Sequence, residues 1–256
     1  MHDDKYFVPF KLTFRERTHT RENRFQGKYY ESLGEYKTRF DLRPIRNIIV
    51  RQNSSDDDSA IYEIFNRLNS GGVNLRPQEI RASLYHSAFY DMLHHINADP
   101  AWRRLVGRAE PDLHGKDLEI LLRGFAMLED GDNYAPSMIK FLNQFSLKRK
   151  KTKPENNEYL ENLFKSFLHA CSDLPDNVFF TERSRRFNIA LYDAVFSVVC
   201  RSAFSNKQLI DGKIEARSVR NLEVDSHFIA ATRYGTTKTV NVKTRMERAK
   251  TLIKMI

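Results

Sequence analysis

Apolar residues recur at helical spacing along most of this chain. Ile61, Ile64, Phe65 and Leu68 fall at relative positions 0, 3, 4 and 7, which draws one apolar stripe on a helix and turns Arg67 away from it. Asn69, Ser70, Gly71 and Gly72 follow, small residues that reach positive φ and expose backbone N–H groups. Pro77 then presets φ for the first turn of a second helix that buries Ile80 and Leu84. Later stripes have the same period. Leu118, Leu121, Leu122 and Phe125 form one; Met138, Phe141, Leu142 and Phe145 a second; Leu160, Phe164, Phe167 and Leu168 a third; Phe187, Leu191, Ala194, Val195 and Val198 a fourth. These are core faces. Residues 112–116 and 130–133 read as loops, and no internal repeat is evident.

The first fifth of the chain has a different pattern. Residues 6–12 and 46–50 have strand composition, Tyr29 and Tyr30 extend it, and residues 53–58 form a polar turn that can cap the helix beginning near Ser59. The expected fold class is therefore α+β, predominantly α: a small N-terminal β remnant packed on a bundle of about seven to nine helices. One domain over 1–256 is expected, with a subdivision into 1–147 and 154–256 left open at the lysine-rich stretch between them.

Composition excludes several classes. With 41% hydrophobic and 29% charged residues, 256 positions suffice for a sizeable core. No apolar run approaches the roughly 18 residues of a membrane span, so no membrane partner is expected. Cys171 and Cys200 lack CxxC spacing and sit in apolar helical contexts, which points to buried thiols in a reducing cytoplasm.

Charge adds a partner class. Forty-two Lys and Arg against 33 Asp and Glu leave a formal net charge of +9, a bias toward polyanions. The basic residues cluster as Lys148, Arg149, Lys150 and Lys151, with Lys153, in an expected loop between a helix ending near Phe145 and another starting near Glu158; as Arg183, Arg185 and Arg186; and as a C-terminal series containing Lys243, Arg245 and Arg248. Each is a candidate for tracking phosphates, and each is equally a solvated face. The glycine turn offers a second candidate site, for a phosphate or a partner: Arg67, Asn69, Gly71, Gly72, Arg76, Glu79 and Arg81. A plain helix–helix corner explains the same residues. Glu79 stands where a capping box needs its carboxylate, but Arg76 replaces the capping hydroxyl.

Catalytic constellations are weak. His94 and His95 are adjacent and diverge on a helix, residues 56–58 are an aspartate run of helix-cap type, and Glu223, Asp225 and His227 alternate without a further ligand. No catalytic residue and no metal site is assigned.

The segment IFNRLNSGGVNLRPQEIRASLY, residues 64–85, resembles one found in the N-terminal domain family of GmrSD-type, modification-dependent restriction endonucleases. Residues 25–30 and 45–50 before it, and 118–127, 141–143 and 186–188 after it, follow the family's order, so the resemblance spans roughly residues 10–250. The family's upstream Asp-Gly-Gln-Gln-Arg signature occurs nowhere in these residues. The resemblance thus implies a truncated or split accessory component of a restriction or phage-defence system, contacting DNA or a DNA-bound partner, inactive as an isolated chain and without a cofactor of its own. A protein supplying the missing portion or a nuclease module would complete it, with nucleotide and Mg in the completed complex. Two alternatives stay open: a nucleotide-dependent DNA endonuclease or NTPase subunit with a phosphate site near the 69–81 turn, and a protein-interaction scaffold.

Overall fold

The structure, a computed structural model, describes residues 9–13, 24–44, 59–68, 75–153, 155–181 and 184–256. The chain divides into two compact units, Met1–Arg51 and Gln52–Ile256.

The described part of the first unit corrects the expected β remnant. Leu12 N–H donates to Lys28 O and Gly27 N–H to Leu12 O, both at 2.8 Å, and among the described residues this pairing does not propagate into a strand. Tyr29 and Tyr30 enter a 3-10 turn, Tyr30–Leu33, because the Ser32 hydroxyl accepts the Tyr29 N–H and closes the chain locally. Helix α1, Tyr36–Asp41, follows. Aromatic residues there meet one another and cations: Phe25 lies edge-on to Tyr36 at 5.1 Å, and the Arg24 guanidinium lies 4.4 Å from the Tyr36 ring centroid. The composition that suggested strands serves these local contacts. The expected strand at 46–50 lies outside the described residues.

The second unit is helical. Its helices are α2 Ser59–Leu68, α3 Pro77–Leu84, α4 Ala88–Asn97, α5 Pro100–Val106, α6 Lys116–Asp130, α7 Met138–Lys150, α8 Glu155–Ala170, α9 Ile189–Asn206, α10 Ala216–Val224, α11 Ser226–Arg233 and α12 Thr239–Leu252. With α1 they make twelve among the described residues, more than the seven to nine expected. The difference comes from short helices such as α5, α10 and α11, too short for a repeated stripe to show. The only β pairing among the described residues is two isolated bridges, Phe180 with Phe187 and Ile214 with Met255. The fold is therefore an all-helical bundle rather than α+β.

Its centre is aromatic. Trp102, Phe164, Phe167, Tyr192 and Phe196 are fully buried, and Tyr192 and Phe196 stack with ring centroids 5.7 Å apart. Helix α6 approaches α9 here because position 124 is glycine. A β-carbon there would meet the Tyr192 hydroxyl at 2.9 Å and Phe196 Cδ1 at 3.0 Å. No helix of the described residues is long and apolar enough to cross a membrane.

Candidate functional site

The turn between α2 and α3 separates its arginines. Arg67 is exposed and pairs with Glu63 on its own helix, Nε to Oε1 at 3.1 Å. Asn69, Gly71 and Gly72 lie outside the described residues. Arg76 precedes α3 in an extended conformation, and its backbone N–H donates to Glu79 Oε2 at 2.6 Å. The other Glu79 oxygen meets His114 Nδ1 at 3.1 Å. The backbone hydrogen bond from Arg76 is the main reason that the Glu79 carboxyl is held below its ordinary pKa.

Arg81 points the other way, into the bundle. It is fully buried, donates from Nε to Asn143 Oδ1 at 2.9 Å and from Nη1 to Gln78 Oε1, and faces Glu119 Oε2 at 3.3 Å. These bonds tie α3 to α6 and α7. A guanidinium so enclosed neutralises Glu119 and fastens the corner; its charge is not presented to an outside phosphate.

The lysine-rich segment is helix to Lys150, because acidic partners at the end of α6 hold its side chains. Lys148 Nζ lies 2.8 Å from Glu129 Oε1 and 2.9 Å from Asp130 Oδ1. Arg149 is buried, bonds Glu129, and lies over the Phe89 and Phe145 rings at 5.3 and 5.5 Å. Burial pulls its pKa down to about 10. Lys150 Nζ donates to Leu84 O at 3.0 Å, while Lys151 is exposed. Cations here also face the negative end of α7.

Of the C-terminal series, Arg245 is buried and donates from Nη1 to Ala231 O and Thr236 O at 2.8 and 2.9 Å. Arg248 grips both oxygens of Asp225, which also caps α11 through the Phe228 N–H at 2.8 Å. Lys243 is exposed beside a small cavity of about 300 Å³ shared with Arg201 and Lys250.

The arginines near 183–186 lead to a larger feature. Arg183 is outside the described residues; Arg185 and Arg186 are exposed. Their loop is closed at its base, since Thr181 N–H donates to Arg186 O at 3.0 Å and Arg185 N–H to Thr181 O at 2.9 Å. This closure holds Arg185 at φ 48° and turns it toward a cleft of about 990 Å³ between α5, residues 175–181 and the start of α10. Arg103, Arg104, Arg108 and Arg220 line the same cleft, with Asp176 and Glu223 as its acidic residues.

These arginines divide by role. Arg103 is buried, with Nη1 2.8 Å from Asp117 and Nη2 2.6 Å from Asn97, so it builds the wall from beneath. Arg104 reaches Leu174 O and Cys171 O, each at 3.0 Å, and Asp176 at 2.8 Å, which pins the far wall to α5. Arg108 and Arg220 stand half in solvent and both meet a carboxylate, Asp112 at 3.0 Å and Glu223 at 2.7 Å. Arg185 has no carboxylate partner among the described residues. A guanidinium has five N–H donors, so Arg108, paired with Asp112, and Arg185 keep donors for an anion.

Reading the sequence singled out Arg185 and missed Arg103, Arg104, Arg108 and Arg220, which are scattered singly. A clue was present in 103–108, where three arginines share one short helix and its exit. Among the described residues no group of three His, Cys, Asp or Glu could hold a metal ion, and residues 56–58 lie outside them. Comparison with protein-family models, curated proteins and solved structures finds no match for this chain.

Proposed function

We propose that this chain is an accessory component of a restriction or phage-defence system, working in the cytoplasm, that holds DNA by its phosphates while a partner protein supplies the reaction chemistry. The observation that carries this reading is the cleft, where Arg108, Arg185 and Arg220 line one concavity and Arg185 has no carboxylate partner among the described residues. The net charge of +9 favours the encounter at long range. The motif at 64–85 supports the defence context by its resemblance to the GmrSD-type family. The alternative phosphate site near the 69–81 turn is less favoured, since Arg81 is buried against Glu119.

Fluorescence anisotropy with labelled DNA of unrelated sequences tests the reading. Affinity should fall steeply with salt, and each phosphate contact removed should reduce the log–log slope by about 0.7–0.9. Reversing Arg185 and Arg186 to Glu should weaken binding on every sequence. Salt-insensitive binding, or reversal variants matching the parent, would refute it.

A further inference from the structure

The cleft has two chemistries rather than one. Its lining is cationic in part, and the same lining includes Phe180 with Pro100, Pro175 and Val178. Bare phosphate recognition needs no aromatic wall. Phe180 is held firmly there: its ring lies edge-on to Phe187 at 5.7 Å, and its tip rests on the backbone of Gly107. Gly107 has φ 66° and caps α5, and a β-carbon on it would fall 2.8 Å from Phe180 Cζ. The glycine therefore does two jobs, ending the helix and admitting the ring.

The opposite side begins at Ala216, the first residue of α10. The first N–H groups of a helix have no acceptor within it and carry the positive end of its dipole. Arg220 lies four residues on in the same helix, and Arg185 and Arg108 join it from the other elements. One concavity thus offers donors for an oxyanion beside a fixed aromatic face. Its volume of about 990 Å³ is at the upper end of the roughly 300–1,000 Å³ usual for small-molecule sites.

Resting on the DNA-contact reading above, we propose that this cleft takes an unpaired nucleotide of a single strand, its phosphate among Arg108, Arg185 and Arg220 and its base against Phe180. A base inside a duplex is stacked on both faces and cannot offer a face to a ring that lines a concavity. A duplex would meet only the rim. An unpaired base is free to enter, and stacking is tolerant of base identity because each base has a π-face. The rim carboxylates do not oppose this, because Asp176 and Glu223 are engaged by Arg104 and Arg220.

The test uses the full chain with an oligonucleotide carrying 2-aminopurine, as a single strand and as a duplex of equal length. The single strand should bind at least about 5-fold more tightly, with fluorescence quenched on binding, since one stacked base corresponds to about 5-fold or more in affinity. Phe180→Leu should lose that advantage and the quenching while duplex affinity is unchanged, and Phe180→Tyr should retain both. Thermal melts check each variant. Should the leucine variant unfold, Arg185→Ala decides, because it leaves the core untouched and should weaken the single strand. Duplex binding equal to or tighter than single-strand binding, or an unquenched probe, would overturn this proposal and leave the DNA-contact reading standing. Absence of binding to either form would overturn both.

Discussion

Arg123 on α6 donates from both Nε and Nη2 to one oxygen of Asp193 on α9, at 3.0 and 2.6 Å. The other oxygen, Oδ1, is buried with no hydrogen-bond partner among the described residues. Burial accordingly pushes the Asp193 carboxyl up from its ordinary pKa, against the pull of Arg123. The pair joins the two central helices at the edge of the aromatic core, and its geometry makes the carboxylate depend on one partner.

Removing Arg123 should therefore be costly. Arg123→Met strands a buried carboxylate, and breaking such a pair from one side costs about 3–5 kcal/mol. Replacing both residues with apolar side chains of similar size, Arg123→Met with Asp193→Leu, should recover most of the loss. Urea unfolding of the four species in a double-mutant cycle measures this; equal destabilisation by the single and double variants would contradict it.

The two arginines flanking the glycine turn should respond oppositely. Arg67 is exposed with a same-helix partner, so Arg67→Ala should change stability by no more than about 0.5 kcal/mol. Arg81→Ala should cost about 2–4 kcal/mol, because it leaves the buried Gln78 carbonyl without its donor and releases α3 from α6 and α7. Chemical denaturation ranks them. A destabilising Arg67 variant beside a harmless Arg81 variant would reverse the assignment.

Gly107 should tolerate no side chain. Gly107→Ala places a β-carbon against Phe180 in a left-handed conformation, and the expected loss is about 1–3 kcal/mol. Pairing it with Phe180→Ala should cancel the collision but not the backbone strain, so its loss should fall below the sum of the two single variants. Additive losses would show that the contact with Phe180 does not matter.

Asp225 makes a pH prediction. Hydrogen bonds from Arg248, its largest influence, hold its pKa below the ordinary 3.8. A carboxyl whose pKa is lowered on folding contributes its full stabilisation above the unfolded value and loses it as pH falls through the folded value. The stability difference between the wild type and Asp225→Asn should stay constant from neutrality to just above pH 4, then shrink with further acidification. A difference that grows on acidification would have the wrong sign. Asp225→Ala should also cost about 0.5–2 kcal/mol through loss of the α11 cap.

Helical stripes were legible because they are local. Leu118, Leu121, Leu122 and Phe125 are all buried, as are Leu160, Phe164, Phe167 and Leu168. The strand reading failed where composition alone carried it. Tyr29 and Tyr30 suit a strand by type, yet an extended segment needs a second segment to complete its hydrogen bonds, and Ser32 closes the chain first. Basic runs were legible as charge but not as surface. Arg149 and Arg81 look like their neighbours in sequence, and both are buried against a carboxylate of α6, Glu129 and Glu119 respectively.

The sequence by itself determined where the longer helices run, that Pro77 opens the helix at 77–84, and that the molecule is strongly basic. Those properties depend on periodicity within a few turns, on backbone permission at single residues and on a simple sum of charges. Only the tertiary structure decided which cations face outward. Arg104 meets Asp176 across 72 positions, Arg123 meets Asp193 across 70, and the cleft joins residues from Pro100 to Glu223. A side chain's charge is written in the chain, but its availability depends on which distant carboxylate or carbonyl the packed helices bring within about 3 Å of it.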